Sequence, residues 1–555
     1  MSRVYELADE HVERSAELDP LSATFRGIAG HDAEMTDLSP DGLAARAALD
    51  SDTLAAVRTA TVEGDRDRVA RDLLIERLEL QGELHDAGED LRALRILFSP
   101  VQQVRQVFDL MPSDTEDDWR TIATRLALVP AGLDGLRRTL REGLDRGVLA
   151  ARRQALACAD QASTWAGGPG GEDGFFSGLA AGYPTDDALR RDLEAAAAAA
   201  GAAYADLARF LREEYAPRAP EADAVGRERY GLWCRLFNGT DLDPEETYAW
   251  GWDELHRIEA AMAADAERIA PGQGLAAAVE VLETDPARAI EGEDALRSWL
   301  QELMDRTVDA LDGVHFDIPG PVRRVEAMIA PPGGAAAMYY TGPSEDFSRP
   351  GRTWYPTLGK TRFPLWGEVS IAYHEGVPGH HLQIGQVRWL AGTLSRFQRS
   401  AVISGHAEGW ALYAERLMDE LGYLEVPDHH LGMLRAQAMR AARVIVDIGM
   451  HLELTIPEDD GFAPGERWTP ALGEAFMVRR SHFPADFLAS EVVRYLGMPG
   501  QAISYKVGER AWLAARAEQR RRGGPDFDLK AFHARALDLG PLGLDQLARE
   551  LTANP

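Results

Sequence analysis

Most of the chain carries apolar residues at three- and four-residue intervals, with charged residues between them. Over residues 66–90, Leu, Ile and Val recur at this spacing among Asp, Glu and Arg, which is the period of an amphipathic helix. The Ala- and Leu-rich run 187–216 follows the same pattern and ends at Pro217. Asp243 followed by Pro244 and two glutamates is typical of a helix start. These patterns predict a mainly α protein.

Only one region has the pattern of β-strands. Residues 314–345 combine β-branched and aromatic residues with Pro-Gly pairs, as strands and their turns do. We therefore expect a small sheet there, directly before the segment that is richest in polar chemistry. Clusters of Gly and Pro at 167–174, 271–274 and 522–525 predict surface loops between helices.

The composition excludes several classes of protein. Of 555 residues, 45% are hydrophobic and 27% are charged, which is typical of a globular chain and not of a disordered, collagen-like or disulfide-rich one. Lys and Arg total 59 against 90 Asp and Glu, so the net charge is −31. Because such a surface repels phosphate backbones and anionic lipids, we expect no nucleic-acid or membrane partner.

The cysteines and the N-terminal residues indicate the compartment. Cys158 and Cys234 form no CxxC pair, so they supply no thiolate zinc site and are expected to be free thiols in a reducing compartment. The first residues are charged and lack the apolar run of a signal peptide. No uninterrupted apolar run reaches the length of a membrane span. We expect a cytoplasmic protein.

The segment 373–383, YHEGVPGHHLQ, is the most informative part of the chain. His-Glu followed by further histidines is typical of zinc hydrolases, in which two imidazoles on one helix face bind the ion. Here the fourth residue after His374 is Pro378, and the next histidines follow at six and seven residues. A helix bulged at Pro378 returns His380 to the face of His374. In an undistorted helix His381 shares that face instead, about 10.5 Å along the axis, so His380 ranks first and His381 second.

A third ligand is predicted in segment 404–415, SGHAEGWALYAE. Glu408 follows His374 at a distance that leaves room for a turn and a second helix. Trp410 and Leu412 indicate that this helix is buried, and a buried carboxylate is costly unless it is paired or bound to a metal. We therefore expect Glu408 to complete a site for one zinc ion.

Further candidates surround this set. His406 is a candidate for the wall of the cleft, and Glu415 is expected to be no more than a solvated residue. Arg443, Asp447 and His451 recur at four-residue spacing and share one helix face. Asp447 and Arg443 are candidates to support the ligands, Asp447 by accepting a hydrogen bond from a ligand imidazole. His451 is a candidate to line the cleft as a catalytic group. A structural pair between Arg443 and Asp447 is the alternative.

Three segments resemble the bacterial "domain of unknown function 885" family, whose members are considered zinc-peptidase-like. They are HEGVPGHHLQ at 374–383, HAEGWALYAE at 406–415 and RYLGMPGQAISYK at 494–506. Weaker likeness runs from near residue 19 to near 550, so the chain reads as one family-wide unit, 1–555. The resemblance implies a zincin-like (gluzincin-like) helical metallopeptidase fold with a small β-sheet next to the active-site helix. We expect residues 1–310 to form the cleft wall and 311–555 to be the catalytic part.

The resemblance also implies roles for individual residues. In related peptidases the ligand helix carries Gly-His, which Gly379-His380 matches. Glu375 is the expected general base, which takes a proton from water and delivers it to the leaving amine. A C-terminal tyrosine of related peptidases stabilises the oxyanion, and Tyr505 is its counterpart here. The expected substrate-binding residues are Tyr339, Tyr340, Arg494, Lys506 and His406. For the two tyrosines, pairing with an extended peptide by strand addition is one interpretation, and packing beneath it is the alternative.

The leading hypothesis is a zinc metallopeptidase that cleaves short peptides. A zinc amidohydrolase acting on a non-peptide amide is the alternative within the enzyme class, because water activation is the same in both. A non-catalytic binding protein on this scaffold is a further alternative, against which Glu375 and Tyr505 argue, since binding alone needs no general base. A di-iron carboxylate bundle requires two Glu-x-x-His repeats on separate helices, and the site segments carry none.

Overall fold

The predicted helix starts are present in the structure, a computed structural model that describes residues 2–168, 174–330 and 338–553. At the start of α11 (Pro244–Ile269), the Asp243 carboxylate accepts from the amides of Glu245 and Glu246 at 2.9 and 3.0 Å. Helix α4 (Asp65–Asp86) covers the predicted segment 66–90 as far as residue 86. Of the predicted loop 167–174, residues 169–173 lie outside the described residues.

The first of two compact units comprises Met1–Ala224 with Ser490–Met498. The run 187–216 forms α9, which continues into a π-helical turn, Leu211–Tyr215. Its core lies between α6, α7 and α9, whose buried residues recur at helical spacing and include Leu126, Leu133, Leu140, Leu193, Ala200 and Leu207. The helices of this unit are α1 (Arg3–Leu18), α2 (Pro20–Arg26), α3 (Pro40–Thr59), α4, α5 (Pro100–Gln106), α6 (Glu116–Arg146), α7 (Arg152–Ala166), α8 (Phe175–Ala181) and α9 (Ala188–Phe210).

The second unit comprises Val225–Ala489 with Pro499–Pro555. Its central helix α18 (Pro427–Leu452) packs against α11 and α14 (Glu368–Glu375). On α18, Val444, Ile445, Val446 and Ile448 are fully buried. Helix α20 (Ala485–Gly497) contributes residues to both units. The other helices here are α10 (Gly226–Asn238), α11, α12 (Gly274–Thr284), α13 (Glu293–Leu311), α14 (Glu368–Glu375), α15 (His380–Trp389), α16 (Arg396–Ser400), α17 (Ser404–Glu420), α18 (Pro427–Leu452), α19 (Pro470–Ser481), α21 (Ser504–Gly523), α22 (Leu529–Asp538) and α23 (Leu544–Thr552).

The expected small sheet lies in the second unit. Strand β2 (Val325–Ile329) runs parallel to β4 (Gly351–Tyr355), and β3 (Tyr339–Thr341) pairs antiparallel with the other side of β4. A separate antiparallel pair joins β1 (Ala289–Glu291) to β5 (Arg362–Pro364). Residues 331–337 of the predicted strand region lie outside the described residues.

The expectation that all strands fall within 314–345 is wrong, because β1, β4 and β5 lie outside it. Strands β1 and β5 have three residues each, which is too short to leave a two-residue alternation in the sequence. Strand β4 has the alternating burial of a strand between two neighbours, but in sequence it follows an Arg-Pro-Gly turn that obscures its start.

The unit boundary falls earlier than residue 310. Residue 310 lies within α13, which packs on β2 and α14, so the chain on both sides of it belongs to the same core. The boundary lies instead between Ala224 and Val225. The role of residues 1–310 as a cleft wall stays a prediction.

The cysteines are as expected: Cys158 and Cys234 are both free and buried. Burial raises the pKa of the Cys158 thiol to about 12, so this side chain behaves as a small apolar group. No helix in the described part of the chain is both long and apolar enough to cross a bilayer.

Candidate metal centre

The segment with the histidines forms two helices and not one bulged helix. Helix α14 ends at Glu375 and α15 begins at His380, with residues 376–379 between them and a cis peptide bond at Val377–Pro378. A Cβ atom on Gly379 would overlap the carbonyl oxygen of His374, so only glycine lets the chain turn back this closely. The predicted bulge is wrong, but the break has the expected effect of returning His380 to the side of His374.

His374, His380 and Glu408 converge on one point. The Nε2 atoms of both imidazoles lie 3.5 Å from the same carboxylate oxygen, Oε2 of Glu408. The two rings are 4.8 Å apart and nearly perpendicular, at 85°. One ligand atom from each of the three side chains lies within 4.8 Å of the others, although the residues come from three different helices.

This arrangement fits a zinc ion. With zinc–nitrogen bonds of about 2.1 Å, the ligand atoms of a tetrahedral site are separated by about 3.4 Å. The observed 3.5 Å separations match that value and exceed those of ordinary hydrogen bonds, which are about 2.7–3.2 Å. Two histidines and one glutamate are also a donor set of catalytic zinc sites, which keep a fourth position for water.

The neighbouring histidine, His381, faces elsewhere. Its Nε2 lies 2.6 Å from the carbonyl oxygen of Val322, and its Nδ1 lies 2.9 Å from the hydroxyl of Tyr340. Burial lowers the pKa of His381 to about 4, so the ring is neutral. Because both ring nitrogens have partners away from Glu408, the geometry favours His380 as the second ligand.

Glu415 holds the ring of His374. It is fully buried, and its Oε1 lies 2.7 Å from Nδ1 of His374, while its Oε2 accepts from Ser370 at 2.7 Å. Arg440 neutralises the same carboxylate at 3.1 Å. The expectation of a solvated Glu415 is wrong. The available signal is its position seven residues after Glu408, which places the two carboxylates on one face of α17.

The electrostatics of the site follow from these contacts. Burial and Arg440 lower the pKa of His374, but Glu408 and Glu415 outweigh them and raise it to about 9. Burial favours a neutral Glu408, yet His374 and His380 hold its pKa well below the usual range. The pKa of Glu415 is also lowered, because Arg440 and His374 outweigh its burial. Two ionised carboxylates beside two imidazoles create a region that favours a cation.

Two predicted catalytic groups lie close to this set. Glu375, the last residue of α14, is 8% exposed and has no hydrogen bond or ion pair within the described residues. Tyr505 lies in the first turn of α21, with its ring 4.8 Å from the guanidinium carbon of Arg443 and 5.6 Å from that of Arg440. Since Arg440 also lies 3.4 Å from His374 Nδ1, a single side chain links Tyr505 to His374.

Glycines bring the helix of Tyr505 onto the helix of Glu408. A Cβ atom on Gly409 of α17 would overlap the Cα of Gly508, and one on Gly508 of α21 would overlap the carbonyl oxygen of Gly405. The two helix backbones are therefore in direct contact at this crossing. Arg416 of α17 adds an ion pair with Glu509 of α21 at 2.8 Å.

Comparison with known proteins agrees with the sequence motifs. A family model described as "Bacterial protein of unknown function (DUF885)" matches residues 20–551. The chain belongs to this family. None of the curated proteins that were searched matches the chain.

Two solved structures share the fold. One is a "putative lipoprotein" from Colwellia psychrerythraea, with a TM-score of 0.86 at 22% identity over 99% of this chain and 98% of that one. The other is described as a "putative lipoprotein of unknown function" from Shewanella oneidensis, with a TM-score of 0.76 at 16% identity over the full length of both chains. At this identity the likeness shows the fold alone.

Asp447 and His451 do not join the site. The Asp447 carboxylate accepts from the Tyr230 hydroxyl at 2.7 Å and from the Gly500 amide at 2.9 Å. His451 lies 3.8 Å from Asp447, and both residues are fully buried. The predicted hydrogen bond from a site imidazole to Asp447 is wrong, because Nδ1 of His374 contacts Glu415. The predicted catalytic role of His451 is wrong, because its fully buried side chain is inaccessible to a substrate.

Lys506 is also a buried structural residue. Its ammonium group lies 2.7 Å from both Glu254 Oε1 and Gln437 Oε1, and it contacts the Glu509 carboxylate. The side chain has no exposure to solvent. The prediction that Lys506 binds substrate is therefore wrong: its charge is neutralised within the core, where an unpaired ammonium would be costly.

Arg494 and His406 have protein partners as well. Arg494, in the first unit, donates two hydrogen bonds to Glu491 at 2.9 and 2.7 Å. His406 is 4% exposed, with its Nδ1 3.2 Å from Nε2 of Gln383, so it does not line an open cleft as expected. Arg443, a proposed support for the ligands, instead lies over the ring of Tyr505.

The two tyrosines of β3 are tied into the protein on one side. Tyr339 stacks on Trp354 at 5.8 Å, and the Tyr340 hydroxyl contacts His381. Strand β3 pairs with β4 alone among the described strands, so it is the outer strand of its sheet. Pairing of this edge with an extended peptide stays a prediction.

Proposed function

We propose that this chain is a zinc-dependent hydrolase, and specifically a metallopeptidase that cleaves short peptides. The observation that carries the proposal is the convergence of the His374 and His380 Nε2 atoms on one oxygen of Glu408, each at 3.5 Å. An imidazole–carboxylate contact at this separation is long for a hydrogen bond and suits a shared cation.

His374, His380 and Glu408 would hold the ion. When bound, zinc supplies Lewis acidity and lowers the pKa of a water molecule towards neutrality. The Glu415 carboxylate, 2.7 Å from His374 Nδ1, keeps the ring proton on Nδ1 and leaves the Nε2 lone pair directed at Glu408. Such carboxylate–histidine pairs raise the basicity of the ligating nitrogen.

Glu375 and Tyr505 supply the groups that handle protons and charge. Glu375 directly follows His374 and is largely buried, so its carboxylate is placed beside the proposed ion, where it can accept a proton from water and deliver it to the leaving amine. The Tyr505 hydroxyl donates a hydrogen bond to the negative charge that develops on the substrate carbonyl oxygen. Arg440 and Arg443, 5.6 and 4.8 Å from its ring, hold the phenol in place by cation–π contacts.

We further infer that the fold around the site is zincin-like, of the gluzincin type. Two histidines flank a glutamate base in sequence order, and the third ligand comes from a later helix, α17. The small sheet precedes the ligand helix α14 in the chain. These features support the inference together with the donor set, and a zinc amidohydrolase acting on non-peptide amides would use the same groups.

Metal analysis tests the proposal directly. Purified protein, equilibrated with zinc and passed through a desalting column, is expected to retain one zinc per chain by mass spectrometry of the metal. Glu408→Ala and His374→Ala are expected to lose it. Glu420→Ala is the matched control, since Glu420 lies on the same helix and pairs with Arg516. Wild-type protein without zinc, or Glu408→Ala with undiminished zinc, would contradict the proposal.

A substrate screen separates the two kinds of amide. Libraries of short peptides and of N-acyl amides are incubated with the zinc-loaded protein, and cleavage is followed by mass spectrometry. Cleavage of peptides supports the peptidase. Cleavage confined to non-peptide amides favours the amidohydrolase, and cleavage of neither by a zinc-loaded protein favours a binding function.

A further inference from the structure

The two histidines of the site are held differently. His374 has its Nδ1 hydrogen bonded to Glu415 at 2.7 Å. The Nδ1 of His380 is buried and has no hydrogen-bond partner in the described part of the chain. Metal-binding imidazoles usually donate their second ring nitrogen to a neighbour, which fixes the ring. Because His380 lacks that contact, its ring can be positioned only by the backbone of α15 and the side chains packed around it.

One contact fixes the backbone directly before His380. Trp410 of α17 is fully buried, and its indole N–H donates to the carbonyl oxygens of Pro378 and Gly379 at 2.8 and 3.3 Å. These two residues end the loop from which α15 starts. A hydrogen bond from a rigid, buried indole therefore sets where the first residue of α15 lies.

A second contact fixes α15 one turn after His380. The side-chain amide of Gln383 lies 3.2 Å from Nδ1 of His406 and 3.5 Å from its carbonyl oxygen. A ring nitrogen of histidine that carries no proton can accept from such an amide. The imidazole and the amide are both buried, where breaking a hydrogen bond is most costly.

Both contacts come from the helix that carries Glu408. His406 and Trp410 are four residues apart and share one face of α17, and both pack on Trp512 of α21, at 5.3 and 5.0 Å between rings. Glu408 lies between them in sequence and is directed to the other side, towards His374 and His380. Helix α17 thus supplies the proposed ligand Glu408 and also contacts the chain before and after His380.

We propose that Gln383, His406 and Trp410 are positioning residues that place His380 at the correct distance from Glu408. The inference rests on the proposed zinc site and deepens it: the signature residues around the ligands hold α15 against α17. His406 then has no direct contact with substrate, and its contribution to the site passes through Gln383.

Zinc affinity provides a readout that a purely structural role would not change. Gln383→Met keeps the length of the side chain and removes the amide, and Trp410→Phe removes the indole N–H. Each is expected to weaken zinc binding about tenfold or more, the usual effect of losing a group that orients a ligand. Affinity is measured by competition with a chromophoric chelator, and the unfolding temperature of the zinc-free protein is measured in parallel.

Two further variants separate positioning from general stability. His406→Leu removes the acceptor and is expected to weaken zinc binding similarly, whereas His406→Asn keeps an acceptor at the position of Nδ1 and should restore most of the affinity. Tyr413→Phe is the matched control, because it removes a buried 2.7 Å hydrogen bond from the same helix to His533. It should lower the unfolding temperature and leave zinc affinity within twofold of wild type.

The outcomes distinguish this inference from the proposed function. Wild-type protein that binds no zinc overturns both. Wild-type affinity in Gln383→Met and Trp410→Phe, with zinc still lost in Glu408→Ala, overturns the positioning role alone. Equal weakening in Tyr413→Phe also overturns it, because the effect would then follow stability. If Gln383→Met does not fold, the comparison of His406→Asn with Trp410→Phe still decides the question.

Discussion

The Nδ1 atom of His374 lies 2.7 Å from Oε1 of Glu415, a carboxylate with no exposure to solvent. The contact joins α14 to α17 in the same place where Glu408 faces both histidines. The buried charge of Glu415 is compensated by Arg440, and its second oxygen accepts a hydrogen bond from Ser370. A buried carboxylate with these partners is suited to orient a metal ligand.

We predict that Glu415→Gln weakens zinc binding about 10- to 100-fold. The amide keeps the shape and a hydrogen bond to Ser370, but it removes the charge that supports the His374 ring. The measurement is a chelator competition on wild type and variant. Glu420→Gln, on the same helix but at the surface, should bind zinc as wild type does, and unchanged affinity in Glu415→Gln would show that the contact is only structural.

We predict that His380→Ala loses zinc and that His381→Ala keeps it. His381 has both ring nitrogens bonded to Val322 and Tyr340, so its loss should instead lower the free energy of unfolding by about 1–3 kcal/mol. Zinc content and urea unfolding of the two variants test this together. The reverse pattern of zinc loss would exchange the roles of the two histidines.

We predict that Glu375→Gln retains zinc but lowers kcat by about 10²- to 10⁴-fold on the best substrate from the screen. The amide cannot accept a proton from water, whereas the ligands are unchanged. Zinc content serves as the internal control. Glu368→Gln, at the other end of α14, is the matched comparison for changes to the helix itself, and wild-type kcat in Glu375→Gln would remove it as the base.

We predict a pH-dependent contribution of His430 to stability. Hydrogen bonds to Asp265 and Asp419 raise its pKa from 6.5 to about 9. The resulting stabilisation is fully present below the unfolded-state pKa, near 6.5, and is lost as the pH rises through 9. Such a shift corresponds to at most about 3 kcal/mol, and partial exposure of the ring reduces this to about 1–2 kcal/mol.

Urea unfolding of wild type and His430→Gln checks this prediction. The difference in the free energy of unfolding should be largest at pH 6 and should shrink between pH 8 and pH 10. A difference that is the same at pH 6 and pH 10 would mean that the ion pairs with Asp265 and Asp419 contribute nothing.

The helices and the cluster of His374, His380 and Glu408 were accessible to sequence reasoning because their signals are local. The period of apolar residues locates α4 and α9, and the spacing of His374, His380 and Glu408 reflects chemistry that few other patterns share. The break between α14 and α15 was not accessible in detail. Pro378 predicts that the helix is disrupted. Whether the helix bulges or ends there depends on the close approach of Gly379 to His374, which the sequence does not show.

The outer parts of the site were harder to predict, because a charged residue looks the same in sequence whether it is exposed or paired inside the core. In sequence, Lys506 and His451 look like substrate-binding or catalytic residues. In the structure Lys506 pairs with Glu254, and His451 lies beside Asp447 and Tyr230. For Glu415 the error was the opposite: a residue expected to be exposed is buried. Its contact with His374 depends on the packing of α14 on α17, which the sequence does not show.

The glycine contact between α17 and α21 has a consequence for any attempt to redesign this centre. Gly409 and Gly508 have no side chains that could shift, so a single added methyl group would push the two main chains apart. The distance between α17, which carries Glu408, and α21, which carries Tyr505, is thus set by contact between the two main chains. Residues that line the centre can therefore be substituted without changing this distance only if Gly409 and Gly508 remain glycine.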